Sequence, residues 1–307
     1  MTTAAIALIP PRRRARERGA RLRVWGWGLV GIVVLGILWE VYKALGPADG
    51  FLLGDTRILP RTSDLAMPHL WDMAARMLEP TTRAESANPL WLEIVLAASL
   101  TLGIAATGWV VGVAVGIGLA LVMQRWRMAE SAMLPWIIIS QTVPLIAFAP
   151  LVRSWGSRIE IGAFEWQDWM SVAVIASYLA FFPVAVGALR GLQAPDRIHL
   201  ELMHTYSVGW WQTLTRLRFP AAVPYLLPAL RLAAANAVVG AVVAEVSTGL
   251  QGGVGRLVIQ YAGQASGDPA KAWAPIAGAV ALGLIAAGSV ALLGIIFRNY
   301  RRSEEQV

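Results

Sequence analysis

Apolar residues dominate six long stretches of this chain, at 24–45, 94–123, 131–152, 170–190, 221–245 and 273–297. Runs of about 20 apolar residues are long enough to cross the hydrocarbon of a bilayer as helices. The pattern therefore predicts an all-α integral membrane protein with about six transmembrane helices. The second run is too long for one straight crossing, so its first turns are expected to lie in the interface or to tilt. Pro135, Pro144 and Pro150 interrupt the third run, and Pro220, Pro224 and Pro228 open the fifth. Proline frees backbone carbonyls, which lipid tolerates only where other protein or a watery cavity satisfies them, and broken helices of this kind often line transport pathways. Pro135 and Pro220 read more simply as a kink or a helix start. Gly108, Gly112 and Gly116 recur every four residues and predict a helix face that another backbone can approach closely.

These runs divide the chain into a basic tail at 1–23, a first transmembrane helix at 24–45, an outer segment at 46–90, a transmembrane core at 91–297 and a tail at 298–307. The first run follows a basic region as a signal peptide would. It is longer than the usual apolar core of such a peptide, contains Trp39-Glu40 and lacks a small-x-small cleavage site, and it reads as an uncleaved helix. Within 46–90, SDLAMPHLWDMAARML places Leu65, Leu70, Met73 and Met77 at helical spacings, with Asp64 as an expected cap, and predicts a short amphipathic helix.

Composition agrees with the pattern: of 307 residues 57% are apolar and 15% charged. There is no cysteine, which excludes disulfides, thiolate metal sites and cysteine nucleophiles. The net charge of +7 sits mostly on arginines at the ends of apolar runs, which argues for membrane anchoring and against nucleic-acid binding. RRRARERGARLR, QRWR, the 190–220 segment and RNYRR hold the clusters, while 47–90, 153–169 and 246–272 hold most of the acidic residues. By the positive-inside rule this predicts a multi-pass protein of the inner (plasma) membrane with both termini cytoplasmic.

Little catalytic chemistry is available. Lys43 and Lys271 are the two lysines, each followed by alanine and neither preceded by the glycine of a phosphate loop, so the chain is not a P-loop ATPase by itself. His69, His199 and His204 do not form HExxH and no GxSxG occurs. No metal site, no bound cofactor and no enzyme activity are expected. Charges inside apolar runs are costly and need a reason. Arg231 and Glu245 in the fifth run are 14 residues apart, about 21 Å along a helix, and cannot pair. One reading has Arg231 snorkel or bind carbonyls; the other has it hold an inner gate, with Asn236 and Glu245 facing a polar cavity and Gln141 and Thr142 contributing from the third helix. In an ATP-independent secondary transporter, the competing reading, Glu245 would bind a proton or cation.

One polar, aromatic stretch, ELMHTYSVGWWQTLTRLRFPAAVP at 201–224, separates two apolar runs. It predicts a cytoplasmic helix over about 197–214, with Leu200, Met203 and Leu214 at apolar positions, Trp210 and Trp211 beside Gly209, and Pro220 as its stop. Such a helix is either a membrane-surface anchor or a handle for a soluble partner. The stretch resembles the cytoplasmic signature of binding-protein-dependent ABC importer permeases, in which Glu-Ala-Ala precedes a glycine by six residues from the Glu and a Leu-Pro follows thirteen residues later. Glu201 takes the Glu position, Leu202 and Met203 the alanines, Ser207 the glycine and Phe219-Pro220 the Leu-Pro. FPAAVPYLLPALRLAAANAVVGAVVAEVSTGLQGGVGRLV, SLTLGIAATGWVVGVAVGIGLAL and PWIIISQTVPLIAFAPL are similar to the nitrate, sulfonate and taurine branch, a likeness covering about residues 90–297. SRIEIGAFEWQDWM departs from it. The resemblance implies a type I ABC importer permease fold and a homodimer lodged in lipid. It also implies two ATPase subunits that carry ATP and Mg²⁺, and an extracytoplasmic solute-binding protein. By the same resemblance Glu201, Leu202, Met203, Ser207, Gly209, Trp211 and Pro220 couple to the ATPase. The cargo implied is a small anion such as nitrate, sulfonate or taurine, with a thiamine-precursor pyrimidine or similar organic solute as the alternative.

Overall fold

The structure is a computed structural model that describes residues 12–53, 56–82, 87–162 and 164–296. The tail at 298–307 and the first eleven residues of the basic tail lie outside them. The chain forms two compact units, Met1–Ala75 and Arg76–Val307.

In the first unit α1 spans Arg12–Leu45, and the part of it apolar enough to cross a membrane is Gly26–Leu45, close to the expected 24–45. Antiparallel strands β1 (Phe51–Leu53) and β2 (Thr56–Leu59) follow. The buried Lys43 ammonium donates to the carbonyl of Met67 at 2.5 Å and to Asp64 at 2.6 Å, which binds the returning chain to the end of α1. Asp64 is thus the partner of a buried cation and not a helix cap. Lys43 holds the Asp64 carboxyl below the ordinary carboxylate range. The resulting stabilisation is present above the unfolded-state pKa and is lost as pH falls through the lower folded value. The cap of α2 (Leu70–Leu78) is Glu40, whose carboxylate accepts from the Leu70 N–H at 2.8 Å.

The second unit is helical: α3 (Leu90–Arg125), α4 (Arg127–Ser140), α5 (Leu145–Gly156), α6 (Asp168–Gln193), α7 (Arg197–Thr205), α8 (Trp210–Thr213), α9 (Phe219–Thr248), α10 (Val254–Ala262) and α11 (Pro269–Ile296). A two-residue ribbon pairs β3 (Glu160–Ile161) with β4 (Phe164–Glu165). The second apolar run is one 36-residue helix, about 54 Å long, well beyond the roughly 30 Å of hydrocarbon. Among the described residues five helices are long and apolar enough to cross a membrane, and the pair α4 and α5, bent by 102°, makes a sixth candidate. The third run is therefore broken rather than straight. Two ties set its course. Gln193, at the end of α6, donates to Glu130 near the start of α4 at 2.9 Å, while Arg153, near the end of α5, forms a bidentate ion pair with Asp168, at the start of α6, at 2.6 and 3.0 Å. The bent pair thus runs from one end of α6 to the other, as a single crossing does.

Helix α6 lies between α3 and α9, and small residues set both contacts. A Cβ added to Gly108, Gly112 or Gly116 would fall 2.5–2.8 Å from side-chain carbons of Ala176, Ala180 and Val184. On the other side Gly191 meets Ala222 in the same way, and Gly187 meets Ala229. Lipid supplies no hydrophobic drive for helix association, so such close backbone approach, with its dispersion contacts, holds the bundle together. Gly112→Ala is expected to lower the melting temperature of the detergent-solubilised protein, at about 1–3 kcal/mol. Gly118→Ala, where no atom lies within 4 Å of the new carbon, is expected to leave it unchanged; equal melting of the two variants would contradict the seam.

Candidate functional site

The helix expected over 197–214 is shorter. Helix α7 ends at Thr205 because the chain turns back on itself: the Val208 N–H donates to Met203 O at 3.0 Å and the Ser207 N–H to His204 O at 2.9 Å. This is a Schellman C-cap, which needs a left-handed residue just beyond the cap. Ser207 is that residue, with φ +54°, and it is the single non-glycine with positive φ among the described residues. The position aligned with the signature glycine therefore keeps a glycine conformation while carrying a serine side chain. Glu201, Leu202, Gly209 and Trp211 are exposed and Met203 is half-buried. Gly209 precedes α8, whose Trp210 lies edge-on to Trp211 and within 5.7 Å of the Arg125 guanidinium at the end of α3.

Pro220 does not stop this segment. Leu214–Arg218 forms a π-helical turn that runs into α9, with Pro220 in its first turn. Proline lacks an N–H and its ring collides with the carbonyl four residues back; the wider turn gives it room, so the chain continues from Trp210 to Thr248. Leu214 is buried, in one cluster with Ala120, Met123, Leu189, Leu192 and Ala222. Arg218 donates to Leu192 O at 2.8 Å and caps the end of α6. Leu214 and Arg218 thus fasten the segment that follows α7 to α9, α6 and α3.

Within the membrane-crossing region the expected polar residues separate into two groups. Gln141 and Thr142 occupy the break between α4 and α5, where Tyr178 of α6 donates to the Ser140 carbonyl. Asn236 donates to the carbonyl of the next α6 residue, Leu179, at 3.4 Å. The fold thus brings Gln141, Thr142 and Asn236 to one level of α6. Arg231 lies elsewhere, half-buried along α11 beside Gly294, its Nε buried without a partner among the described residues. Glu245, expected to face a polar cavity, is fully buried in this chain. Its carboxylate accepts from Thr101 Oγ1 of α3 and from the Gly255 N–H of α10, both at 2.8 Å, while Thr101 Oγ1 accepts from the Val254 N–H at 3.0 Å. A carboxylate at a helix N-terminus receives its orphan N–H groups and the positive end of its dipole. Gly253 leaves space for it, since a Cβ there would fall on the carboxylate.

Sequence reasoning did not single out Arg153, which also donates to Thr248 O at the end of α9 and so ties α5, α6 and α9 together. It also overlooked Thr101 and Tyr178, and took Arg218 only as one of the basic residues of 190–220. Gly187 and Gly191 carried a readable signal, a second four-residue glycine spacing. Among the described residues no group of three or more histidine, aspartate or glutamate side chains is arranged to hold a metal.

The family profile described as binding-protein-dependent transport system inner membrane component matches residues 112–302, well over half of the chain. The chain belongs to this family. Its fold is accordingly that of a type I ABC importer permease, and it is a multi-pass membrane transport subunit. Among curated relatives, the formylaminopyrimidine transport permease protein ThiX of Halalkalibacterium halodurans is 30% identical over 275 residues, 86% of this chain and 98% of that protein. The putative aliphatic sulfonates transport permease protein SsuC of Bacillus subtilis is 26% identical over 80% of this chain and 77% of its own length. The riboflavin transport system permease protein RibX of Chloroflexus aurantiacus is 30% identical over 44% of this chain and 46% of its own.

Two outcomes check this geometry. Ser207→Gly removes the strain of a side chain in the left-handed region, about 1 kcal/mol, and should slow hydrogen exchange of the α7 amides roughly five-fold; unchanged or faster exchange would contradict the cap. Glu245→Ala leaves the Gly255 N–H unpaired and the Thr101 hydroxyl with only the Ala97 carbonyl, and should cost about 1–3 kcal/mol, seen as a lower melting temperature. Wild-type melting would show that the buried carboxylate holds nothing.

Proposed function

We infer that this permease is one half of a homodimer served by two ATPase subunits, with α7 as the handle through which ATP binding moves the membrane helices. The observation that carries the reading is an uncovered stripe on α7. Ile198, Leu202 and Tyr206, 70%, 52% and 75% exposed, follow one another at four-residue intervals and so share one helix face. An amphipathic helix with a bare apolar face suits a groove in another protein. In this reading both termini and α7 are cytoplasmic, following the positive-inside rule, and ATP and Mg²⁺ are held by the partner chains. Nucleotide closes the ATPase pair and α7 follows. The packed chain from Leu214 into α9 then shifts the dimer between inward- and outward-open states, a two-state equilibrium biased by ligand. An external solute-binding protein delivers the cargo.

For the cargo, the relative matched over 98% of its length is named for formylaminopyrimidine transport, which favours a small pyrimidine. The anion reading, with nitrate, sulfonate or taurine as cargo, rests on the sulfonate permease, matched at lower identity and over less of its length. The docking claim is tested by pull-down of the candidate ATPase on the detergent-solubilised chain. Wild type is expected to retain it, and Leu202→Asp and Glu201→Lys to lower its recovery at least ten-fold without a change in melting temperature. Equal recovery with all three, or none with wild type, would make the stripe a membrane anchor.

A further inference from the structure

We propose that the break between α4 and α5, with the aromatic side chains beside it, is a transit subsite for a planar heteroaromatic solute. The proposal rests on the importer reading above and names what the pathway would accept.

The first observation is an accounting of backbone groups. At the break the N–H groups of Gln141, Thr142 and Val143 are paired with the carbonyls of Ile138, Ile139 and Ser140 at 3.0–3.3 Å. The carbonyls of Gln141, Thr142 and Val143 accept no hydrogen bond from any described residue, and Pro144, which follows, has no N–H to give. Thr142, Val143 and Ile146 are exposed on this chain. Three bare carbonyls within a membrane crossing are untenable against lipid, where each costs several kcal/mol, about the same as any unsatisfied group there, and they persist only where protein or a watery cavity meets them. The break therefore faces away from the lipid tails.

The second observation is the company it keeps. Phe148 of α5 and Tyr178 and Phe181 of α6 are half-buried beside it, with Tyr178 5.8 Å from each of the other two rings. The Tyr178 hydroxyl holds the Ser140 carbonyl and so fixes this group against the break. The Gln141 amide makes one long bond, 3.3 Å to Ser140 Oγ, and is the adaptable polar group of the set.

Together these features select the solute. Unpaired carbonyls accept and never donate, so they repel an anion, which brings only acceptors, and suit a neutral ring bearing amino N–H groups. Aromatic side chains offer such a ring a stacking surface. The Gln141 amide can serve either a ring nitrogen or an exocyclic group. An aminopyrimidine carries all of these features; a simple alkanesulfonate such as ethanesulfonate carries none of them, and taurine only the N–H donors.

The natural absence of cysteine makes the test direct. Thr142→Cys and Val143→Cys would be made in the full chain, assembled with its ATPase and binding protein in proteoliposomes, and treated with the small hydrophilic thiol reagent 2-aminoethyl methanethiosulfonate. Val110→Cys and Leu284→Cys, exposed apolar positions on α3 and α11, serve as comparisons. The expected result is labelling at 142 and 143 at least ten-fold faster than at 110 and 284, slowed at least five-fold by formylaminopyrimidine and not by ethanesulfonate. Labelling as slow as the comparisons, or a cross-link between two copies at 142, overturns the subsite. Protection by ethanesulfonate alone, or by neither solute, overturns the heteroaromatic assignment. ATP-dependent uptake by the same vesicles reports separately on the importer reading.

Discussion

Hydrocarbon offers a peptide group no hydrogen-bond partner, and each irregular point of this chain answers that constraint in its own way. Ahead of Pro220 the helix widens into a π turn and continues. At the end of α6 the Arg218 guanidinium takes the Leu192 carbonyl, and at the end of α9 Arg153 takes that of Thr248. At the start of α10 a buried carboxylate accepts the Gly255 N–H. Between α4 and α5 one carbonyl is taken by Tyr178 and three more are left bare. The contrast between the satisfied ends and the bare break separates the parts of the bundle that hold it together from the part that can meet a solute.

The satisfied ends also explain how a soluble motor could move so apolar a body. Close seams of glycine and alanine make α3, α6 and α9 a stiff unit, and Leu214 roots the 210–218 segment in its lower cluster. Helix α7 stands outside that cluster, ended by a Schellman turn that positions it without covering it. In the proposed mechanism, work done on α7 would pass to the packed helices through the short connection at 206–209.

The number of crossings could be read from the sequence, because about 20 consecutive apolar residues have few other fates. The glycine spacing of α3 was equally open to reading, since a four-residue period puts small residues on one face. The break at Pro144 was visible as an interruption, but its 102° bend and the Tyr178 hydroxyl that meets it from 38 residues away were not. The partners of Glu245 were illegible for the same reason: its donors are on Thr101, 144 residues away, and on the backbone of Gly255, and neither is marked by a local pattern. Arg153 was not singled out, because its partners lie on two other helices and no local pattern marks them. Pro220 was read as a helix start, which its place in the first turn of α9 bears out, and also as the stop of the preceding segment, which it is not; a π turn is a response that composition does not announce. Ser207 could be placed by its match to a signature glycine, yet the left-handed conformation itself emerged only with the fold.

The central claim is that an ATPase drives the transport path of this chain. Uptake of radiolabelled formylaminopyrimidine into proteoliposomes holding the permease, its ATPase and its binding protein tests this most directly. The account predicts uphill accumulation that requires ATP hydrolysis on the ATPase side and is indifferent to collapse of proton and sodium gradients. Accumulation driven by an imposed gradient in the absence of ATP would contradict it.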